Sequence, residues 1–200
     1  MTTDTPRKQQ IEDAASTLFR DRGYAGTSVR DIAQSLDMQG GSLYAHVASK
    51  EDMLWAIVIR AADRFNAEVG PIAQSDRTAA RKLRKMIRAH VAVVTSAQKD
   101  AAVFLHEWRF LSTDRREQIA HRRDRYEGLF RDAIAQGVKS GEFGRMDAAQ
   151  TAMVILSALN GIATWYQPDG KLTPAQIADQ HADLFIRALT WGIPETEGAS

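Results

Sequence analysis

Five histidines (His46, His90, His106, His121 and His181) and 25 aspartates and glutamates are the groups from which a catalytic or metal site could be built. Their spacing assembles neither. There is no His-Glu-x-x-His pair, and no Glu-x-x-His pair of the kind used by carboxylate-bridged metal bundles. A Gly-x-Ser-x-Gly elbow and a phosphate-binding glycine loop are also missing. His106 and Glu107 are adjacent, so on a helix they point to different faces. Cysteine is absent, which removes thiolate ligands and disulfides and fits a reducing cytoplasm. No cofactor and no catalysis are expected, and a helical-bundle metal-dependent enzyme stands only as an alternative of another class. A metal sensor using His90, His106 and His181 would have no spacing signature behind it.

The residues from Gln39 to Lys50 offer a different chemistry, hydrogen bonding to an external edge. Gln39 can pair with an adenine edge, and Ser42 with a base or a phosphate. Tyr44, His46 and Lys50 suit phosphate oxygens, so loss of Lys50 is expected to weaken binding to all sequences alike. Gly40 and Gly41 let a backbone approach a groove closely. Thr27 and Ser28 stand at a helix start, where free amides and the dipole favour a phosphate. Leu43 and Val47 can anchor the segment inward. This is the design of a helix-turn-helix, which lays a short helix in the DNA major groove. Short helix pairs occur in any helical protein, however, and Gly40-Gly41 read alone is equally a loop.

The elements that must carry these residues are all helical. Only five prolines and long 3.6-residue patterns, with 44% hydrophobic content, indicate an all-α protein with a sizeable core. Ile11, Ala14, Ala15, Leu18 and Phe19 share one face of a first helix over 8–22, stopped by Gly23. A second helix spans 28–36, with Ser28 and Asp31 at capping-box spacing. A turn at Asp37-Met38-Gln39 leads to a third helix over 40–47. Ser49 to Asp52 caps a fourth over 50–66, which the Gly70-Pro71 loop should end. Longer helices follow at 77–97, 101–111, 115–139, 147–166 and, opened by Thr173-Pro174, to 191. The segment 147–166 is apolar nearly all round, so burial on more than one side is expected. It is interrupted by Ser157, Asn160 and Thr164 and is too short to span a bilayer, which takes ~20 apolar residues. The opening MTTDTPRKQQ lacks an apolar core, so no export signal is expected.

Charge is unevenly spread. Residues 1–60 hold seven basic and eight acidic side chains, residues 77–131 hold fourteen and six, and residues 132–200 hold four and eight. The basic excess lies in the middle of the chain, away from the candidate DNA-reading helices.

Residues 8–58 resemble the N-terminal domain of the TetR family of transcriptional repressors. The stretches "AASTLFRDRGYAGTSVRDIAQSL" and "GGSLYAHVASKEDML" carry the resemblance. So do Phe19, Gly23, Tyr24, Thr27, Ile32-Ala33, Leu43-Tyr44 and Ser49-Lys50-Glu51 at their spacings. Asp37 stands where the family commonly has Gly, and Val47 where Phe is usual. The resemblance implies a DNA-binding domain over 1–50 and an effector-binding and dimerisation domain over 51–193. Residues 194–200 are expected to form a flexible tail. It also implies a cytoplasmic homodimer on a palindromic operator, paired through 147–166 and 174–191, with no membrane partner.

Such a repressor holds its effector among the middle helices. Phe104, Trp108, Tyr126, Phe130 and Trp165 are candidate lining groups, with Arg109, Arg122 and Asn160 as polar ones. Each aromatic taken alone is more often plain core. The arginines around 115–125 are either a solvated face or the seat of an anionic head group. "SLYAHVASKEDML", "HEWRFLSTDRREQIAHRRDRYEGLFRDAI" and "GEF" resemble the branch that answers to fatty acyl-CoA or related CoA thioesters. A repressor of an efflux gene, sensing an apolar drug-like ligand, is the alternative. Ligand would release DNA by moving the fourth helix and changing the spacing of the two reading helices.

Overall fold

In the computed structural model, which describes residues 4–191, the chain begins with α1 (Asp4–Arg22) and the short pair α2 (Val29–Gln34) and α3 (Gly40–Leu43). These are followed by α4 (Lys50–Ala73), α5 (Ala79–Ser96), α6 (Gln98–His106) and a 3-10 turn, Trp108–Phe110. Then come α7 (Thr113–Ser140), α8 (Ala148–Trp165) and α9 (Pro174–Thr190). No strand occurs among the described residues, so the all-α expectation holds. The proposed tail at 194–200 lies outside them.

The chain packs as two units, Met1–Arg64 with Ala97–Arg122, and Phe65–Ser96 with Arg123–Ser200. This partition follows packing, and it differs from the 1–50 and 51–193 division expected by function because α6 packs on α1. In the first unit Ile11, Ala15, Phe19, Ile32, Ala33, Leu43 and Leu54 are buried. In the second, α5 carries Leu83, Met86, Ile87, Val91 and Val94 inward and packs on α8 and α9. The Glu142 carboxylate accepts the first amides of α5, from Ala79 at 3.0 Å and Ala80 at 3.1 Å. Burial pushes its pKa up, but those amides more than compensate and hold it below the usual value.

Four elements differ from the sequence reading. α4 continues through Gly70-Pro71 to Ala73, because a proline in the last turn forfeits only one helical bond. α3 is one turn long and relaxes after Leu43. The helix expected over 101–111 breaks at Glu107, whose side chain is engaged elsewhere, and continues as the 3-10 turn. α8 is not enclosed all round: Met153 and Val154 are more than half exposed.

Candidate nucleic-acid interface and effector region

Local chemistry fixes the reading pair. Ser28 caps α2 by accepting from the Asp31 amide, and the Asp31 carboxylate accepts from the Ser28 amide at 2.8 Å. The Ser28 hydroxyl holds that carboxyl below its usual pKa, with the Ser28 amide adding to the effect. A cap of this type contributes about 1 kcal/mol. The chain then reverses at Asp37, which sits at φ 53, the left-handed conformation a short polar side chain tolerates. Leu43 is fully buried and Val47 nearly so, which orients α3. Gln39, Gly41, Ser42 and Tyr44 are exposed, Gly40 and His46 partly so. A Cβ added to Gly40 or Gly41 would meet nothing within 4 Å. Gly41→Ala should therefore leave the melting temperature unchanged while weakening operator binding by roughly tenfold, about 1.4 kcal/mol. Fluorescence anisotropy on labelled operator checks this, and equal affinity would remove Gly41 from the interface.

Two residues expected at phosphates are engaged within the chain. The Thr27 side chain is buried, its hydroxyl 2.9 Å from the Gly23 carbonyl and 3.2 Å from that of Leu18. It ties the α1–α2 connection to the end of α1 instead of facing solvent. The Lys50 ammonium donates to the carbonyls of Tyr24 at 2.9 Å and Thr27 at 2.8 Å, and lies over the Tyr24 ring. Burial lowers its pKa. Lys50 is thus a clamp on the connection, and two of its three donors are committed there. Lys50→Met should cost about 2 kcal/mol of stability, the worth of charge-assisted hydrogen bonds. Its operator affinity should fall with an unchanged salt slope. A slope reduced by ~1 per subunit with no stability loss would restore the phosphate role.

The same unit ties α6 and its sequel to the reading module. Asp100 accepts from Ser16 at 2.6 Å and pairs with Arg60 at 2.7 Å, and Arg60 also reaches Glu12 at 3.0 Å. Burial raises the Glu12 pKa, although Arg60 opposes it. The Tyr24 amide donates to Glu107 at 2.8 Å, and the Tyr24 ring stacks on Phe110 at 5.5 Å. Arg115 pairs with Glu51 and Asp52, and the Ser112 amide donates to Glu51 at 3.0 Å. Sequence reasoning missed these contacts because the partners lie 40 to more than 80 positions apart.

The effector candidates fall into both units. In the first, Phe104 is buried, Trp108 is half-buried and Arg109 is exposed beside Phe110. Arg122 pairs with Asp63. With Arg115 also paired, two of the five arginines at 115–125 are committed to this chain's own carboxylates. In the second unit, Tyr126 and Phe130 surround His90 together with Phe65. His90 Nδ1 lies 2.9 Å from the Tyr126 hydroxyl. Burial pushes the imidazole down to about 3, with the Asn160 amide opposing, and pushes the Tyr126 phenol well up. Trp165 is half exposed and does not join this cluster.

The second unit also exposes two apolar stripes. On α8 these are Met153, Val154, Ala158 and Trp165, with Ser157 exposed among them and Gly161 partly so; on α9, Leu184 and Ala188, one turn apart, lead to Trp191 just beyond the helix. Leu184 is 64% exposed, whereas Ile177 and Leu189 on the same helix are buried. Among the described residues no three histidine or carboxylate side chains gather as a metal-ligand cluster, and no helix is long and apolar enough to cross a membrane.

A capped helix, a left-handed turn and an outward, glycine-led helix, set in an all-helical chain, define a helix-turn-helix regulator. The model for bacterial regulatory proteins of the tetR family matches residues 11–57, and that for the tetracyclin repressor-like C-terminal domain matches residues 76–189. The protein belongs to the TetR family of transcriptional regulators. It is 26% identical over 185 residues to the HTH-type transcriptional repressor KstR2 of Rhodococcus jostii, covering 92% of this chain and 91% of that protein. It is 23% identical over 186 residues to the fatty acid metabolism regulator protein of Bacillus subtilis, covering 92% and 96%. It is also similar to AibR, solved in complex with isovaleryl coenzyme A and operator DNA. The TM-score there is 0.80 at 31% identity, covering 92% of this chain and 98% of AibR.

Proposed function

We propose that this protein is a cytoplasmic, homodimeric repressor that binds a palindromic operator and is released from it by a CoA thioester. The observation that carries DNA reading is the bare tip of α3, where Gln39, Gly41, Ser42 and Tyr44 are exposed while Leu43 is buried beneath them. Residues 1–50 read the operator. Residues 51–193 hold the effector and pair two copies through the stripes of α8 and α9, and no substrate is turned over. The CoA class is supported by the likeness to AibR and to the fatty acid metabolism regulator. Release is a population shift, in which the effector must bind the free form at least 100-fold better to cost the operator complex ~2.7 kcal/mol. Selection of bound sequences from a random DNA pool tests the reading directly. Recovery of a two-fold symmetric site supports it, and no enrichment rejects it.

One observation favours a second effector class. Arg115 and Arg122 are ion-paired within the chain, which suits an apolar, drug-like ligand that needs no cationic rim. Comparing an acyl-CoA with its free fatty acid separates the two: equal potency in releasing DNA discards the CoA proposal.

A further inference from the structure

The polar heart of the second unit is His90, enclosed by Phe65, Tyr126 and Phe130 at ring-centroid distances of 4.9, 5.9 and 6.2 Å. One ring nitrogen, Nδ1, is matched by the Tyr126 hydroxyl. The other, Nε2, is buried and has no hydrogen-bond partner among the described residues. The Asn160 amide stands near enough to favour the protonated ring, but it makes no hydrogen bond to Nε2 of standard geometry.

Counting hydrogens settles which tautomer the pair prefers. If Nδ1 carries the proton and donates to Tyr126, the phenol hydrogen and the Nε2 lone pair are both left unmatched. If the phenol donates to Nδ1, the hydrogen sits on Nε2 and only that one group is unmatched. An unmatched buried polar group is costly, so the second arrangement is favoured. The enclosure therefore leaves a single unmatched donor, Nε2–H, in surroundings that are aromatic apart from the Asn160 amide. Its complement is a hydrogen-bond acceptor attached to apolar groups, and a carbonyl oxygen between two carbon or sulfur arms has that form.

We propose that His90, held by Tyr126, is the anchor that recognises the effector by its carbonyl oxygen, through a hydrogen bond from Nε2–H. This deepens the effector reading given above and rests on it, the carbonyl being that of the thioester. Asn160 is then positioned to orient the same oxygen or the ring. The buried imidazole stays uncharged across the range in which a cell operates, so the donor is present throughout.

Two measurements test this on the full-length protein. Long-range proton–nitrogen correlation spectra of the 15N-histidine protein report the tautomer, with His90 assigned by its loss in His90→Phe. The Nε2–H form is expected, and an Nδ1–H ring overturns the proposal. Calorimetry then compares isovaleryl-, octanoyl- and palmitoyl-CoA with their S-alkyl thioether analogues, which lack only the carbonyl. The wild type should bind a thioester about tenfold tighter than its thioether, the worth of one neutral hydrogen bond. The ratio should approach one in the double variant His90→Phe/Tyr126→Phe, which removes both partners together. Equal wild-type affinities for thioester and thioether sink the carbonyl contact and leave the CoA reading standing. Binding of none of the six sinks the CoA reading, and this proposal with it. Should the double variant not fold, the tautomer and the wild-type comparison still decide.

Discussion

Leu184→Glu should yield a folded chain that no longer pairs, with operator affinity lower by on the order of 100-fold. The side chain is 64% exposed, so its replacement removes no core contact from the single chain. In a two-fold pair the same patch meets itself, and each subunit would bring a carboxylate into an apolar contact. A lone subunit reads one half-site and loses the gain from binding both at once. Met153 and Val154, exposed on α8, supply the control: an alanine at either should weaken pairing without abolishing it, because only packing area is lost. Native mass spectrometry gives the subunit count and anisotropy the affinity. A dimer that survives Leu184→Glu with undiminished DNA binding would move the interface off α9.

Acidification should destabilise the protein by about 3 kcal/mol between pH 6.5 and about pH 4 through His90 alone. Unfolded, this imidazole titrates near 6.5; folded, burial pushes it down to about 3. As pH falls through 6.5 the unfolded chain takes up a proton that the folded chain refuses, so stability declines. The decline ends near pH 3, where the folded ring also charges. Above 6.5 neither state is protonated and the contribution is fully present. Carboxylates with lowered pKa, Asp31, Glu51, Asp52 and Glu142, also lose stability in acid, but they do so with and without the imidazole. The difference between wild type and His90→Phe in urea midpoints across this range isolates the ring. Parallel pH profiles for the two would place His90 in contact with water.

Signals confined to a few neighbouring residues were legible. Ser28 with Asp31 marks a helix start by hydrogen bonds that close within three residues, Thr173-Pro174 marks another by a capping hydroxyl and a proline at the first helical position, and both caps form, the second between Thr173 and Gln176. The apolar spacing of α1 placed its buried face. What the pattern could not show depends on distant partners. Lys50 reads as a free cation until the fold brings the Tyr24 and Thr27 carbonyls to it. Glu107 looks like one more helical residue until it captures the Tyr24 amide and α6 stops. Arg115 and Arg122 read as unpaired cations because the carboxylates that pair with them lie on α4. α8 and α9 misled for another reason: hydrophobicity marks burial but does not say whether this chain or a second copy provides it.

The open space around Gly40 and Gly41 has a consequence for descent. The outer positions of α3 carry no folding duty, since its hold on the protein rests on Leu43 and Val47. Exchanges at the exposed Gln39 or Ser42 should therefore cost little stability, and under the proposed reading of bases by these side chains, lineages of such proteins would drift to new target genes by single steps. The anchors beneath cannot change so cheaply, and they are where ancestry should remain written.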